Sequence, residues 1–199
     1  VLVRHGETER SESVTNKWAG WFQSLITPKG RKEAREAGER LKVSGLKFDR
    51  AYASDLSRSE ETLKEVLDAL GQENIPVTIA KEIRERNYGD LIGWRRALVE
   101  KVFGRDKFLN WRRGHKGYSQ RPPGGENLED VQRRTLPYFI QEILQRIADG
   151  ENVIVSCHSN SGRAILVYLR NLTDAEIMKL EFLLTTPVVC AFNDDLILK

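Results

Sequence analysis

The sequence predicts an α/β fold, a three-layer α/β/α sandwich on a mostly parallel sheet, and three observations lead there. Five short apolar runs, at residues 1–3, 51–53, 77–79, 153–155 and 188–192, lack polar alternation, as strands buried on both faces do. Segments of helical periodicity separate several of them, and strand–helix alternation builds a parallel sheet covered by helices on both sides. A chain of 199 residues, 40% of them hydrophobic, is long enough for one substantial core, so a single domain over 1–199 is expected.

The first run ends at Arg4 and His5, and Gly6 comes next. Thr27 and Pro28 open the first helix, because threonine caps and proline forfeits no hydrogen bond at the first helical position. That helix runs toward Gly45. A second begins near Ser57, with Glu60 placed three residues on for a reciprocal capping box, and Gly71 ends it. Its Leu63, Val66, Leu67 and Leu70 form one apolar face directed at the sheet. A long helix is predicted over 128–148, with Val131, Phe139, Ile143 and Ile147 in the core, a kink at Pro137 and Gly150 as terminator. Shorter helices are expected over 161–170 and 173–180, the last opened by Thr173 with Glu176. Residues 82–125, Arg-rich and carrying Trp94 and Trp111, fit the alternation poorly and read as an excursion that covers the site.

Lysine and arginine number 32 against 29 acidic residues, a net +3 with the signs interspersed. Nucleic-acid binding would show as a basic stripe, so the pattern points instead to a local cationic site for a small anion. Cys157 and Cys190 lie in apolar runs and read as buried free thiols, which fits a reducing cytosol. No stretch approaches the roughly 18 apolar residues of a membrane span, and no signal-like region opens the chain, so a soluble cytoplasmic protein is expected. Val1 in place of an initiator methionine suggests trimming upstream.

Of three histidines, His5 and His158 each come directly after an apolar strand, and ligands of such sheets bind beyond the strands' carboxyl ends. Either alone would read as a core histidine; two at one sheet edge point to a site. Without a cysteine pair, an HExxH or clustered carboxylates, a metal centre is not expected. Arg4 beside His5, and Arg58 in the first turn of the second helix, suit a phosphate, since guanidinium forks bind its oxygens and helix N-termini favour anions. Alone, Arg58 would read as a surface partner of Glu61 or Glu65.

The stretches RHGE, SDLSRSEET and CHSNS, in this order and each after a strand, resemble the three markers of the histidine phosphatase superfamily, whose fold is called phosphoglycerate mutase-like. Within it, ERNYGDLIG, NWRRG and PPGGENLEDV resemble segments of the cofactor-dependent phosphoglycerate mutases. The resemblance implies His5 as the nucleophile that becomes phosphohistidine, Arg4, Arg58 and His158 as its phosphoryl-binding partners, and Glu85 as general acid and base. It implies Arg86, Tyr88, Arg112 and Arg113 as holders of the substrate's carboxylate and far phosphate, with Ser11, Gly20, Arg96, Ser159 and Asn160 as further contacts. The expected reaction is interconversion of 3-phosphoglycerate and 2-phosphoglycerate, primed by 2,3-bisphosphoglycerate and needing no metal. The expected partner is a small phosphorylated carboxylate, with neither nucleic acid nor membrane, and family members often form homodimers or homotetramers.

Several residues depart from the family pattern. Arg10 and Ser11 stand where tryptophan and asparagine are usual, and the spacing from His5 to Gly20 is about two residues longer. Ser159 replaces a glycine and Arg96 a lysine, the TTP turn lacks its glycine, and no site-covering tail extends past Lys199. Loss of such a lid would favour hydrolysis of the phosphohistidine. The alternative is therefore a phosphomonoesterase acting through the same His5, and behind it a non-catalytic interaction module.

Overall fold

The computed structural model describes residues 1–113, 120–193 and 195–198. Four strands, β1 (Leu2–Arg4), β2 (Arg50–Ala53), β3 (Val77–Ile79) and β4 (Val153–Cys157), pair in the order β1-β4-β2-β3, all parallel. Leu2 stands opposite Val155, and Ala51 opposite Ile154.

Successive strand residues point to opposite faces, and both faces are apolar. On one, Val3, Ala51, Ala53 and Ile154 pack against helices α1 (Pro28–Val43) and α2 (Ser57–Leu70) through Ala34, Ala37, Leu41, Leu63, Val66, Leu67 and Leu70. On the other, Leu2, Tyr52, Val153, Val155 and Cys157 meet Phe139, Ile143, Ile165 and Leu166. The sheet is thus the middle of three layers, as predicted. No helix among the described residues is long and apolar enough to cross a membrane.

Thr27 caps α1 as expected, its hydroxyl accepting the Gly30 N–H at 3.0 Å. Gly38 lets α1 lie directly on α2: a methyl there would stand 2.5 Å from the Val66 carbonyl oxygen and 2.7 Å from the Ala69 Cβ. Gly38→Ala would stabilise a free helix by about 1 kcal/mol, whereas overpacking here should cost about 1–3 kcal/mol. Urea unfolding should therefore show a net loss; a gain would contradict the contact.

Two expectations are corrected. Residues 188–192 form no strand: Val188 makes a single antiparallel bridge to Leu2, and Phe192 another to Leu198. Pro187 has no N–H to offer a ladder, and Thr185 turns the chain with φ +47°. Ser57 is not the cap of α2; Leu56 holds that position, and the Ser57 N–H and hydroxyl both donate to Gln23 Oε1 at 2.8 Å. The predicted helix over 128–148 is continuous through Pro137. Helix α5 (Leu128–Tyr138) continues through a π-helical turn at Phe139–Leu144 into α6 (Gln145–Ala148).

The excursion contains α3 (Arg96–Phe103) and α4 (Arg105–Arg113), and its buried Tyr88, Leu91, Val99, Phe108 and Trp111 cluster around Trp18. Arg134 of α5 pins its base by donating to the carbonyls of Glu82 at 2.7 Å, Arg84 at 3.0 Å and Glu85 at 2.9 Å. Helix α7 (Ser159–Arg170) starts two residues before the predicted position, directly after β4. Helix α8 (Asp174–Lys179) has the expected capping pair, Glu176 accepting from the Thr173 N–H at 2.8 Å.

Candidate active site

Because the strands are parallel, β1, β2 and β4 release their chains at one edge, and Arg4, His5, Ser54 and His158 meet there. The N-termini of α2 and α7 face the same region, carrying Arg58, Ser159 and Asn160. Of the expected residues, Arg4, His5, Ser11, Gly20, Arg58, Glu85, Tyr88, Arg96, Arg112, Ser159 and Asn160 line one pocket of about 640 Å³. Arg86 and His158 are fully buried and are not part of its lining. The Arg113 side chain lies outside the described residues.

His5 is held in a defined tautomer. Its Nδ1 lies 2.8 Å from the Gly6 carbonyl oxygen, which can only accept, so the proton sits on Nδ1 and the lone pair on Nε2. Burial, then the charges of Arg58 and Arg4, hold its pKa well below 6.5. The neutral, nucleophilic ring is therefore the working form.

His158 is placed 5.1 Å from His5, ring centroid to centroid. The Ser54 hydroxyl accepts the Leu56 N–H at 3.3 Å and stands 2.6 Å from His158 Nε2, where it can donate to a bare Nε2 or accept from an Nε2–H. Its Nδ1 is buried with no partner among the described residues. Burial, then Arg58, also depresses this histidine's pKa well below 6.5.

These shifts have a stability consequence. Below about pH 6.5 the unfolded chain binds protons at both rings while the folded chain does not, so stability present above that pH is lost as pH falls. The slope should reach about 2.7 kcal/mol per pH unit, and His5→Gln should remove about half of it. Urea unfolding of both forms between pH 7.5 and 5.5 reads this; a flat profile would contradict the buried neutral pair.

Arg58 donates to the Phe22 carbonyl at 3.0 Å and the Gly20 carbonyl at 2.8 Å, and Arg4 to the Phe182 carbonyl at 2.9 Å. Burial lowers the Arg58 pKa to about 10, which leaves it charged at neutral pH. The Nε atoms of Arg4, Arg58 and Arg96 are buried without a partner among the described residues. Buried donors in this state are rare, and an anion is the ligand that satisfies them. The lining carries seven arginine or lysine residues against three glutamates, so its field favours a polyanion.

Glu85 enters from the excursion. One of its oxygens, Oε1, accepts from the Arg86 N–H at 2.7 Å, the Asn160 N–H at 3.1 Å and Asn160 Nδ2 at 2.8 Å. Asn160 Nδ2 also lies 3.2 Å from the Tyr88 hydroxyl. Arg86 bonds that hydroxyl at 3.2 Å and the Arg112 carbonyl at 2.6 Å, so it braces two lining residues from behind. Ser11 receives the Thr8 N–H at 2.9 Å and shapes the loop after His5.

Sequence reasoning missed the bracing residues Ser54 and Arg134, whose partners are remote in the chain. It also missed Glu12, which reaches Arg96 and Arg112; the one available signal was its place in a loop about two residues longer than the family's. Arg10, the residue standing where the family has tryptophan, also lines the pocket, with its guanidinium 3.5 Å over the Phe22 ring.

Comparison with known proteins agrees with this geometry. The sequence profile of the histidine phosphatase superfamily (branch 1) matches residues 1–196. The 2,3-bisphosphoglycerate-dependent phosphoglycerate mutase of Bradyrhizobium diazoefficiens is 42% identical over 195 residues, covering 98% of this chain and 92% of its own. Among solved structures, YhfR of Bacillus stearothermophilus superposes with a TM-score of 0.84 at 25% identity, covering 100% of this chain and 92% of its own. A mycobacterial glucosyl-3-phosphoglycerate phosphatase superposes with a TM-score of 0.73 at 21% identity, over 90% of this chain and 82% of its own, and shares the fold.

Proposed function

The chain belongs to the histidine phosphatase superfamily, and from this we propose that it interconverts 3-phosphoglycerate and 2-phosphoglycerate through a phosphohistidine at His5. The observation that carries the reading is one pocket joining two cationic groups: Arg4 and Arg58 around His5, and Arg96 and Arg112 beside Tyr88. A substrate anionic at both ends matches both groups. The mutase names of relatives at about 42% identity support the same choice. We read residues 1–199 as one domain, with the 82–125 excursion covering the pocket.

In this reading His5 Nε2 attacks phosphorus in line, and the N–P bond forms as the bond to the departing oxygen breaks. Arg4, Arg58 and His158 stabilise the charge on the equatorial oxygens. Glu85 gives its proton to the departing alkoxide and then takes one from the hydroxyl that attacks phospho-His5. Arg96, Arg112 and Tyr88 hold the carboxyl end, while Arg86 fixes the last two. The partnerless arginine donors fit 2,3-bisphosphoglycerate as primer, which would supply the first phosphoryl group to His5.

The test is to supply 3-phosphoglycerate with and without catalytic 2,3-bisphosphoglycerate and couple 2-phosphoglycerate to enolase. Primer-dependent product is expected, and its absence at high enzyme overturns the mutase reading. A second reading, hydrolysis of phospho-His5 by water, is favoured by Glu12, which partly neutralises Arg96 and Arg112. Phosphate release from several esters without isomer formation would establish it.

A further inference from the structure

Glu12 lies in the loop between His5 and Gly20, and its Oε2 accepts from Arg112 Nη2 at 2.9 Å and from Arg96 Nη1 at 3.1 Å. The same loop gives Arg96 a second acceptor, Asn16 Oδ1 at 3.0 Å. Arg96 and Arg112 come from α3 and α4, so a single carboxylate oxygen joins the loop to both helices of the excursion.

The chemistry of this contact is that of a bound acid. The Glu12 side chain is 64% exposed, against 22% for Arg96 and 30% for Arg112, so the carboxylate reaches in from solvent onto two more buried guanidinium groups. Arg96 and Arg112 repel each other, and burial already disfavours the Arg96 charge, so the Glu12 carboxylate between them offsets both costs when no substrate is present. An exposed ion pair of this kind is weak and yields to a competitor.

We propose that Glu12 is a specificity-determining residue, an internal carboxylate that competes with the substrate's own for Arg96 and Arg112. A phosphorylated carboxylate must displace it, whereas a phosphate ester with an uncharged far end leaves it in place. Glu12 thus narrows the pocket's preference for phosphocarboxylates and admits neutral-tailed phosphate esters. The inference rests on the reading that Arg96 and Arg112 receive the substrate's carboxyl end, and is independent of whether phospho-His5 passes to an alcohol or to water.

Binding separates these questions, because it needs no turnover. Isothermal titration would compare wild type, Glu12→Gln and Glu12→Ala with 3-phosphoglycerate, glycerol 3-phosphate and inorganic phosphate. Both variants should tighten 3-phosphoglycerate by about 5- to 10-fold, and change the other two ligands by less than about 2-fold. In steady state the effect should fall on KM rather than kcat. An equal shift for all three ligands reduces Glu12 to a general charge effect and overturns the proposal, as does no shift. Weaker binding of 3-phosphoglycerate to folded variants, checked by circular dichroism, assigns Glu12 to bracing the arginines and also overturns it. If 3-phosphoglycerate binds none of the three proteins, the carboxyl-end reading itself fails; if it binds all three equally, only the competition does.

Discussion

His5→Ala should abolish phosphoryl transfer, with kcat reduced at least about 10⁴-fold, and should remove all acid-labile, base-stable phosphate from the protein. Two buried histidines 5.1 Å apart compete for the role of nucleophile, and their hydrogen bonds decide between them. The Gly6 carbonyl accepts the hydrogen bond of the His5 Nδ1–H and leaves Nε2 with a lone pair at the pocket wall. At His158 Nε2 is engaged by the Ser54 hydroxyl in either tautomer, and the ring is not part of the lining. His5 is therefore the acceptor, and His158, 5.1 Å away, its supporting partner. His158→Ala should retain slow labelling at His5 while lowering its rate by about 10²- to 10³-fold, the scale of losing one preorganised donor. Wild-type labelling of the His5→Ala protein would refute the assignment, and absence of label on the wild type itself would admit the non-catalytic reading.

The sheet edge that makes this chemistry was legible because its determinants are local. A strand buried on both faces shows as an uninterrupted apolar run, and the residues just past its end must stand at the carboxyl edge. Arg4, His5 and His158 were placed by that reasoning, and Arg58 by its position in the first turn of a helix. Residues 188–192 misled because apolar composition does not reveal whether a neighbouring strand offers more than one pairing, and Val188 meets only Leu2. Ser57 misled for a related reason: the acceptor that displaced the capping box belongs to Gln23, 34 positions away. The excursion hid most. Glu85 depends on Asn160, 75 positions on, and Arg96 and Arg112 meet Glu12 across 84 and 100 positions. No periodicity encodes such encounters, so it was family resemblance that identified Glu85, Arg86 and Asn160, while the hydrogen bonds joining them came only from the fold.

Glu85→Gln should lower kcat for phosphoglycerate by about 10²- to 10⁴-fold with little change in KM. The substitution isolates proton transfer from positioning. Oε1 accepts three N–H bonds from Arg86 and Asn160, so a glutamine must turn its carbonyl oxygen to that place. Its amide nitrogen then takes the place of the other oxygen, where it can donate a hydrogen bond but can neither give up nor accept a proton at neutral pH. The substrate site is preserved because Tyr88, Arg96 and Arg112 do not touch Glu85 through these bonds. The substitution should therefore matter in proportion to how badly the leaving group needs a proton. A glycerate alkoxide needs one; an aryl oxide does not. With p-nitrophenyl phosphate, formation of phospho-His5 in Glu85→Gln, measured as a burst of nitrophenol, should remain within about 10-fold of wild type, while the phosphoglycerate reaction collapses. Equal losses on the two esters would mean that Glu85 acts by holding Asn160 and the α7 N-terminus in place, and another group would have to be found to carry the proton.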